Sequence, residues 1–244
     1  MVVAQLPRVS ELSRPDPQGN LKPVAANIDQ ILVVIAPYPE PHAKLIDRYL
    51  VASETVGIEP VILLNKTDLL DADSELAASM DSLLAVYPGL GYRILRTSIK
   101  TGGLTALHAA LSGRTSIFVG QSGVGKSSLV NGLLPEAELR VGALSENTLK
   151  GTHTTTTAQL LHLDCGGTLI DSPGIREFGL WHMSRQEVEQ GFREFRPFLG
   201  QCKFRDCRHQ QEPGCAVLAA AASGTISRER LESYRHIVNS LDDD

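Results

Sequence analysis

Gly120-Gln121-Ser122-Gly123-Val124-Gly125-Lys126-Ser127 matches G-x-x-x-x-G-K-[ST], a spacing that handles phosphate. Its glycines let the backbone curl until several N–H groups face one anion. The N-terminus of the helix that follows, beginning at Ser128, adds partial positive charge. Lys126 is placed to reach the β- and γ-phosphates, and the Ser127 hydroxyl to ligate Mg²⁺. The flanks agree: Thr115–Val119 reads as a strand, and Ser128–Leu134 as a helix.

A second constellation, Asn65-Lys66-Thr67-Asp68, follows the apolar run Val61–Leu64. The Asp68 carboxylate can accept two hydrogen bonds, from guanine N1–H and its exocyclic amine, a donor pair adenine lacks. Asn65 can approach the O6/N7 edge and tie neighbouring loops together, while the Lys66 stem can lie along the base plane. Asp68 is also the residue that separates this reading from an ATPase built on the same phosphate loop. Ser98, within Thr97-Ser98-Ile99-Lys100, offers a backbone contact to guanine. Asp171-Ser172-Pro173-Gly174 fits D-x-x-G, with a carboxylate on the Mg²⁺ side and a γ-phosphate-sensing amide at Gly174. Taken alone it would be an ordinary turn, and its companions give it meaning. In Gly151–Thr157, Thr155, or Thr154 as the alternative, can complete Mg²⁺ coordination. Ile175 stands where many GTPases place a water-orienting glutamine, and isoleucine cannot position water. His153 is the candidate for that work, a plain loop residue or RNA contact being the alternative. The catalytic set expected is therefore Lys126, Thr155 and His153.

The elements that must hold these loops alternate strand and helix from Asn27 to Gly179. Strands are expected at 31–36, 61–64, 92–95 and 115–119, and a strand pair within 158–171 around Gly166-Gly167. Helices are expected at 41–56, 73–86 and 103–112. Such alternation predicts an α/β domain with a mostly parallel sheet covered on both faces. Motif order is unusual: N-K-x-D precedes the phosphate loop, the threonine tract and D-x-x-G, whereas common GTPases run the other way. A parallel sheet tolerates this, since loops converge at the carboxyl ends of strands wherever the chain begins. The reading is a circularly permuted GTPase, with GTP and GDP as ligands.

The chain has 244 residues, 42% of them hydrophobic, and a net charge of −5. Its apolar runs are too short for a spanning helix, which needs about 20 residues. No signal peptide is recognisable, and a cytoplasmic, monomeric protein is expected. The acidic balance argues against broad nonspecific nucleic-acid binding but leaves room for local basic patches. Beyond Trp181 the character changes. Cys202-x4-Cys207-x-His209-x5-Cys215 offers three sulfurs and an imidazole, a set suited to a closed structural zinc site, with buried free thiols as the alternative. A small apolar content across 190–215 favours a metal staple. Arg196, Lys203, Arg205 and Arg208 surround it and are candidates for nucleic-acid phosphate contact, solvated surface charge being the alternative. Helical segments are expected near 215–222 and 227–240. Cys165 reads as a half-buried strand thiol.

Taken together, the chain closely resembles the ribosome small-subunit-dependent GTPases, the RsgA/YjeQ family. The resemblance rests on Arg14-Pro15-Asp16, Ala25–Gln30, the permuted motif order, Gly120–Ser128, His153–Thr157, Asp171–Phe178 and the cysteine cluster. It implies a permuted GTPase over 27–180 and a small helical zinc-binding domain over 181–244, holding one Zn²⁺ through Cys202, Cys207, His209 and Cys215. It further implies action late in maturation of the 30S subunit, with GTP hydrolysis stimulated by that particle and its rRNA as partner. The departure lies at the start: residues 1–26 look like the last piece of an N-terminal OB-fold, most of which is absent.

Overall fold

The structure is a computed structural model that describes residues 7–15, 21–134, 159–171 and 183–242. Its centre is β3 (Gln30–Ile35), buried along its whole length. Such an unbroken apolar run marks a strand covered on both faces. Parallel neighbours flank it, β4 (Glu59–Leu64) on one side and β6 (Thr115–Val119) on the other. Outside β4 lies parallel β5 (Arg93–Arg96). Outside β6 lies parallel β8 (Thr168–Asp171), and antiparallel β7 (Gln159–His162) closes that edge. The order is β5-β4-β3-β6-β8-β7.

Side-chain alternation divides the core in two. Ile31, Val33, Ile35, Ile62 and Leu64 face α1 (Ala43–Thr55). Leu32, Val34, Val61, Leu63 and Phe118 face α4 (Thr105–Leu111) and α5 (Lys126–Leu133). The helix α2 (Ser74–Leu84) starts at an Asp73 cap whose carboxylate accepts from the Leu76 N–H at 2.9 Å. It runs into the short α3 (Val86–Gly89), so helical structure continues past the expected end at 86.

Two segments were not foreseen. β1 (Glu11–Pro15) and β2 (Leu21–Ala26) form an antiparallel hairpin, and Leu12 is buried in the main core. The second is α6 (Arg185–Gly191). Its signal was present in Ser184-x-x-Glu187: the Glu187 carboxylate accepts from the Ser184 N–H at 2.7 Å, and the Ser184 hydroxyl accepts from the Glu187 N–H at 3.3 Å. Cys165 sits in the β7–β8 turn rather than in a strand.

The expected poverty of core around 190–215 needs correction. Val188, Phe192 and Phe195 are fully buried. The Phe192 and Phe195 rings stack at 4.9 Å, and Tyr234 of α8 (Arg228–Asp242) meets both. These residues share one core with α1, which is covered by the sheet on one side and by α6 and α8 on the other. The seam is polar. Arg230, 1% exposed, donates to Asp47 of α1 at 2.5 Å and to Glu194 at 2.6 Å. Burial pushes the Asp47 carboxyl up, while Arg230 pulls it back toward ionisation. Glu54, also of α1, accepts from both Arg193 and Arg196 at 2.6 Å.

Candidate nucleotide site and metal centre

All three loops that follow β4, β5 and β6 leave the same edge of the sheet, because these strands are parallel. After β6 the chain turns at Gly120, with φ +137. A Cβ there would collide with the Val34 carbonyl, so the turn requires glycine. Gly125, φ +98, caps α5. A Cβ there would lie 2.5 Å from Asn65 Nδ2, which records how closely the two loops approach. The α5 N-terminus then presents Lys126, Ser127 and Ser128 beside Gln121, Ser122 and Gly123, and Val124 is buried beneath. Lys126 Nζ donates to the Gly120 and Gln121 carbonyls at 2.6 and 2.7 Å, folded over its own loop.

The Asn65–Asp68 loop is locked to this one. Asn65, 3% exposed, donates through Nδ2 to the Val124 carbonyl at 2.9 Å. Lys66 adopts φ +60 and sends Nζ to the carbonyls of Gly123 at 2.6 Å and Tyr38 at 2.8 Å, so its stem lies across the loop. Thr67 N–H donates to Thr97 O at 3.2 Å, joining the β4 and β5 loops. Buried Ser98 donates to Asp68 Oδ1 at 2.6 Å, and Lys100 Nζ lies 3.5 Å from Oδ2. The Ser98 hydrogen bond, with Lys100 beside it, holds the Asp68 carboxyl below its ordinary range, ready to accept donors. A cavity of about 430 Å³ opens here, lined by Asn65, Lys66, Asp68, Ser98, Gly125 and Ser128. Residues of the Asn65–Asp68 loop and of the phosphate-loop motif thus line one space. Ser98 also contributes its hydroxyl, which holds Asp68, besides the backbone contact expected of it.

Asp171 ends β8, next to the strand that feeds the phosphate loop. Gly174, Ile175, His153, Thr154 and Thr155 lie outside the described residues.

In the C-terminal region the four expected ligands converge, their donor atoms all within 4.8 Å of one another. His209 Nδ1 lies 3.6, 3.5 and 3.2 Å from the sulfurs of Cys202, Cys207 and Cys215, and Cys202 and Cys215 are 3.8 Å apart. Tetrahedral Zn–S bonds of about 2.3 Å place sulfurs about 3.8 Å apart, and a Zn–N bond of about 2.0 Å puts nitrogen about 3.5 Å from each. The donor set fits that ion. Burial pushes the Cys207 thiol up to about 12 and the Cys215 thiol up as well. A divalent cation would reverse this by stabilising the thiolates. The supports are local. Cys202 and Cys215 sulfurs accept the Ala216 and Leu218 N–H groups at 3.4 Å, at the start of α7 (Ala216–Ala222). Glu189 faces His209 Nε2 at 3.7 Å and accepts from the Tyr234 hydroxyl at 3.0 Å. Arg196, expected among the free cations here, is instead paired with Glu54.

A phosphate loop and a guanine reader brought to one sheet edge in inverted chain order define a circularly permuted P-loop GTPase. Comparison with known proteins agrees. A family model described as RsgA GTPase matches residues 5–181. The small ribosomal subunit biogenesis GTPase RsgA of Ectopseudomonas mendocina is 62% identical over 245 residues, spanning 100% of this chain and 71% of that protein. Its counterpart in Azotobacter vinelandii is 62% identical over 242 residues, spanning 99% and 70%. Among solved structures, YjeQ from Thermotoga maritima matches with a TM-score of 0.77 at 36% identity, over 97% of this chain and 76% of that one. YloQ, a circularly permuted GTPase, matches with a TM-score of 0.74 at 30% identity, over 98% and 74%. The chain belongs to the RsgA GTPase family.

Proposed function

We propose that this chain binds GTP across the β4, β5 and β6 loops, hydrolyses it, and serves in late maturation of the small ribosomal subunit, which stimulates the reaction. Asn65, Lys66, Thr67, Asp68 and Ser98 hold the guanine, and Gly120–Ser128 the phosphates. The observation that carries this reading is the lock between Asn65 and Lys66 and the phosphate loop, which fixes both halves of one ligand's site. The ribosomal part draws on the relatives named small ribosomal subunit biogenesis GTPase at 62% identity.

Lys126 must leave the Gly120 and Gln121 carbonyls to meet the phosphates, an exchange of neutral acceptors for charged ones that favours the bound state. With the loop amides it stabilises charge on the transferring γ-phosphoryl group as water attacks. Ser127, in the first turn of α5, and Asp171, at the end of β8, would hold Mg²⁺ together with Thr155, and the Gly174 amide would sense the γ-phosphate. Mg²⁺ supplies neutralisation of β- and γ-phosphate charge. His153 orients the water in place of the residue that Ile175 is not. We assign residues 27–180 to the GTPase domain and 181–244 to a zinc domain with one structural Zn²⁺ on Cys202, Cys207, His209 and Cys215. We assign 1–26 to OB-fold or linker sequence that leads into the GTPase domain. The protein works in the cytoplasm as a monomer, away from membranes, and no helix among the described residues is long and apolar enough to cross one.

The test is GTP turnover titrated with 30S subunits. Wild type should accelerate with added subunits, and Asp68→Asn should lose guanine nucleotide by a hundredfold or more while accepting xanthine nucleotide. Turnover that ignores the subunits would remove the ribosomal reading, and unchanged guanine selectivity in Asp68→Asn would remove the base site. His153→Ala hydrolysing GTP normally with 30S present would withdraw the role given to that residue.

A further inference from the structure

The donors of the metal centre are unequally shielded. Cys207, Cys215 and His209 are buried, whereas Cys202 is half-buried. Among the described residues, an open cleft of about 710 Å³ reaches the centre, and Cys202, Cys207 and His209 form part of its wall. Buried Cys215 does not line the cleft, and its sulfur lies 3.8 Å from that of Cys202. Backbone pairing holds this couple together. The N–H of Lys203, next to Cys202, donates to the carbonyl of Gly214, next to Cys215, at 3.0 Å. Each of the two sulfurs accepts a backbone N–H at 3.4 Å, Cys202 from Ala216 and Cys215 from Leu218. Hydrogen bonding therefore treats them alike, and access sets them apart.

The rest of the cleft discriminates by charge. Its wall carries the carboxylates of Glu54, Glu187 and Glu189 and the guanidinium groups of Arg196 and Arg205. Glu54 is held by Arg193 and Arg196, Glu187 by the Ser184 cap, and Glu189 by the Tyr234 hydroxyl and Arg185. Carboxylates outnumber cations on this wall. Three thiolates and a neutral imidazole around a divalent cation add a further net negative charge. An anionic reagent is repelled from such a cleft, and a small uncharged one is not. Metal binding also keeps the cysteines as thiolates, their nucleophilic form.

We propose that Cys202 and Cys215 are a site of reversible oxidation by a peroxide, and that the disulfide they form releases the metal. The inference rests on the reading of the four ligands as a zinc site. The Cys202 thiolate attacks one oxygen of hydrogen peroxide. An S–O bond forms, the O–O bond breaks, and hydroxide leaves, giving a sulfenic acid on Cys202. The Cys215 thiolate then attacks the Cys202 sulfur. The S–S bond forms, the S–O bond breaks, and a second hydroxide leaves. The two sulfurs together lose two electrons, and the peroxide gains them. Closing 3.8 Å to the roughly 2.05 Å of a disulfide asks for side-chain movement over a backbone already bridged at 203 and 214. Cys207 and His209 are then left as a pair, too few for a closed tetrahedral site. Residues 201–215 contain no helix or strand, so their loop loosens when the ion goes.

The experiment uses the full chain, its zinc content measured first. Hydrogen peroxide is added, zinc release is followed with a chromogenic chelator, and cysteine peptides are mapped by mass spectrometry. Zinc release should match Cys202–Cys215 disulfide formation mole for mole. Dithiothreitol with added zinc should restore both the bound metal and the hydrogen-exchange protection of 201–215. Cys202→His keeps a nitrogen or sulfur donor at every ligand position and should slow release by about tenfold or more, since the remaining thiols are buried. Glu187→Gln keeps the helix cap, which accepts glutamine as well, and removes a negative charge from the cleft. It should speed release by the anionic oxidant peroxymonosulfate about twofold and leave the hydrogen peroxide rate unchanged. Zinc retained under peroxide, a disulfide joining a different pair, sulfinic or sulfonic acids that thiol does not reverse, or release from Cys202→His at the wild-type rate would each overturn the proposal. So would equal effects of Glu187→Gln on the two oxidants, which would deny the cleft its part in access. The wild-type peptide map decides the matter even where Cys202→His fails to fold. A chain that takes up no zinc would instead sink the reading of the ligand set, whereas zinc held and not released sinks the oxidation alone.

Discussion

The nucleotide edge and the cysteine–histidine centre both hold irregular loops in fixed positions, by different physical means. At the edge, a parallel sheet buried on both faces delivers each loop, and backbone carbonyls tie the loops together. Asn65 reaches Val124, Lys66 reaches Gly123 and Tyr38, and Thr67 reaches Thr97. At the centre, residues 201–215 contain no helix or strand. Their positions depend on donor atoms within 4.8 Å of one another, on Tyr234 and Arg235 from α8, and on charged pairs at the seam with α1. The first arrangement draws its stability from a large apolar core. The second joins one face of that core through Phe192, Phe195, Val217, Ile226, Tyr234 and Ile237, and adds buried charge and a cluster of metal-type ligands beside it. One region should therefore survive perturbations that undo the other.

Zinc removal is the severest way to probe that contrast. A strong chelator, or Cys207→Ser, should cost the C-terminal region several kcal/mol and expose amides in 185–191, 202–226 and 228–242 to hydrogen exchange. Amides of β3, β4 and β6 should remain protected. Equal loss of protection in both regions would show that α1 makes them a single cooperative unit. Next in size is the seam. Asp47→Ala leaves Arg230 with only one carboxylate partner in a buried site and should cost about 3–5 kcal/mol in denaturant unfolding. The double substitution Asp47→Leu with Arg230→Met should recover much of that, because apolar packing replaces an ion pair with a large desolvation penalty. A double variant no more stable than the single one would mean that the pair contributes more than it costs.

Within the edge, Asn65→Ala removes a buried donor to Val124 and should weaken GDP binding by about tenfold with little change in melting temperature. The smallest effect concerns pH. The Ser98 hydrogen bond and Lys100 lower the Asp68 carboxyl, and in the proposed site its ionised form would accept the guanine donors. A lowered carboxyl keeps its charge as pH falls, so the Asp68 contribution to binding is present above the ordinary carboxylate range and is lost only below it. Ser98→Ala lets the carboxyl rise, and GDP affinity measured by calorimetry should begin to fall at higher pH than in wild type. Coincident pH profiles would remove Ser98 from that role.

Much of this was legible in the residues. Loops at strand ends are governed by nearest neighbours in the chain, so Gly120–Ser127 and Asn65–Asp68 could be read as candidate phosphate and guanine loops, and the Cys/His spacing as a candidate ligand set whose donors the fold does bring together. The 3.6- and 2-residue periods gave most elements of the domain. Local signals also existed for what was overlooked: Ser184-x-x-Glu187 announced α6, and the proline-broken β1–β2 hairpin hid its register. Other relationships had no local signal. Arg230 and Asp47 are 183 residues apart, and Glu54 and Arg196 are 142 apart, so no spacing rule could pair them. The sequence by itself determined which residues could bind phosphate, guanine and metal, because those chemistries depend on residue type over short spans. Only the tertiary structure decided that α1 lies between the sheet and the zinc region, and which arginines are spent on carboxylates. Burial and ion pairing are set by what packs against each residue in space.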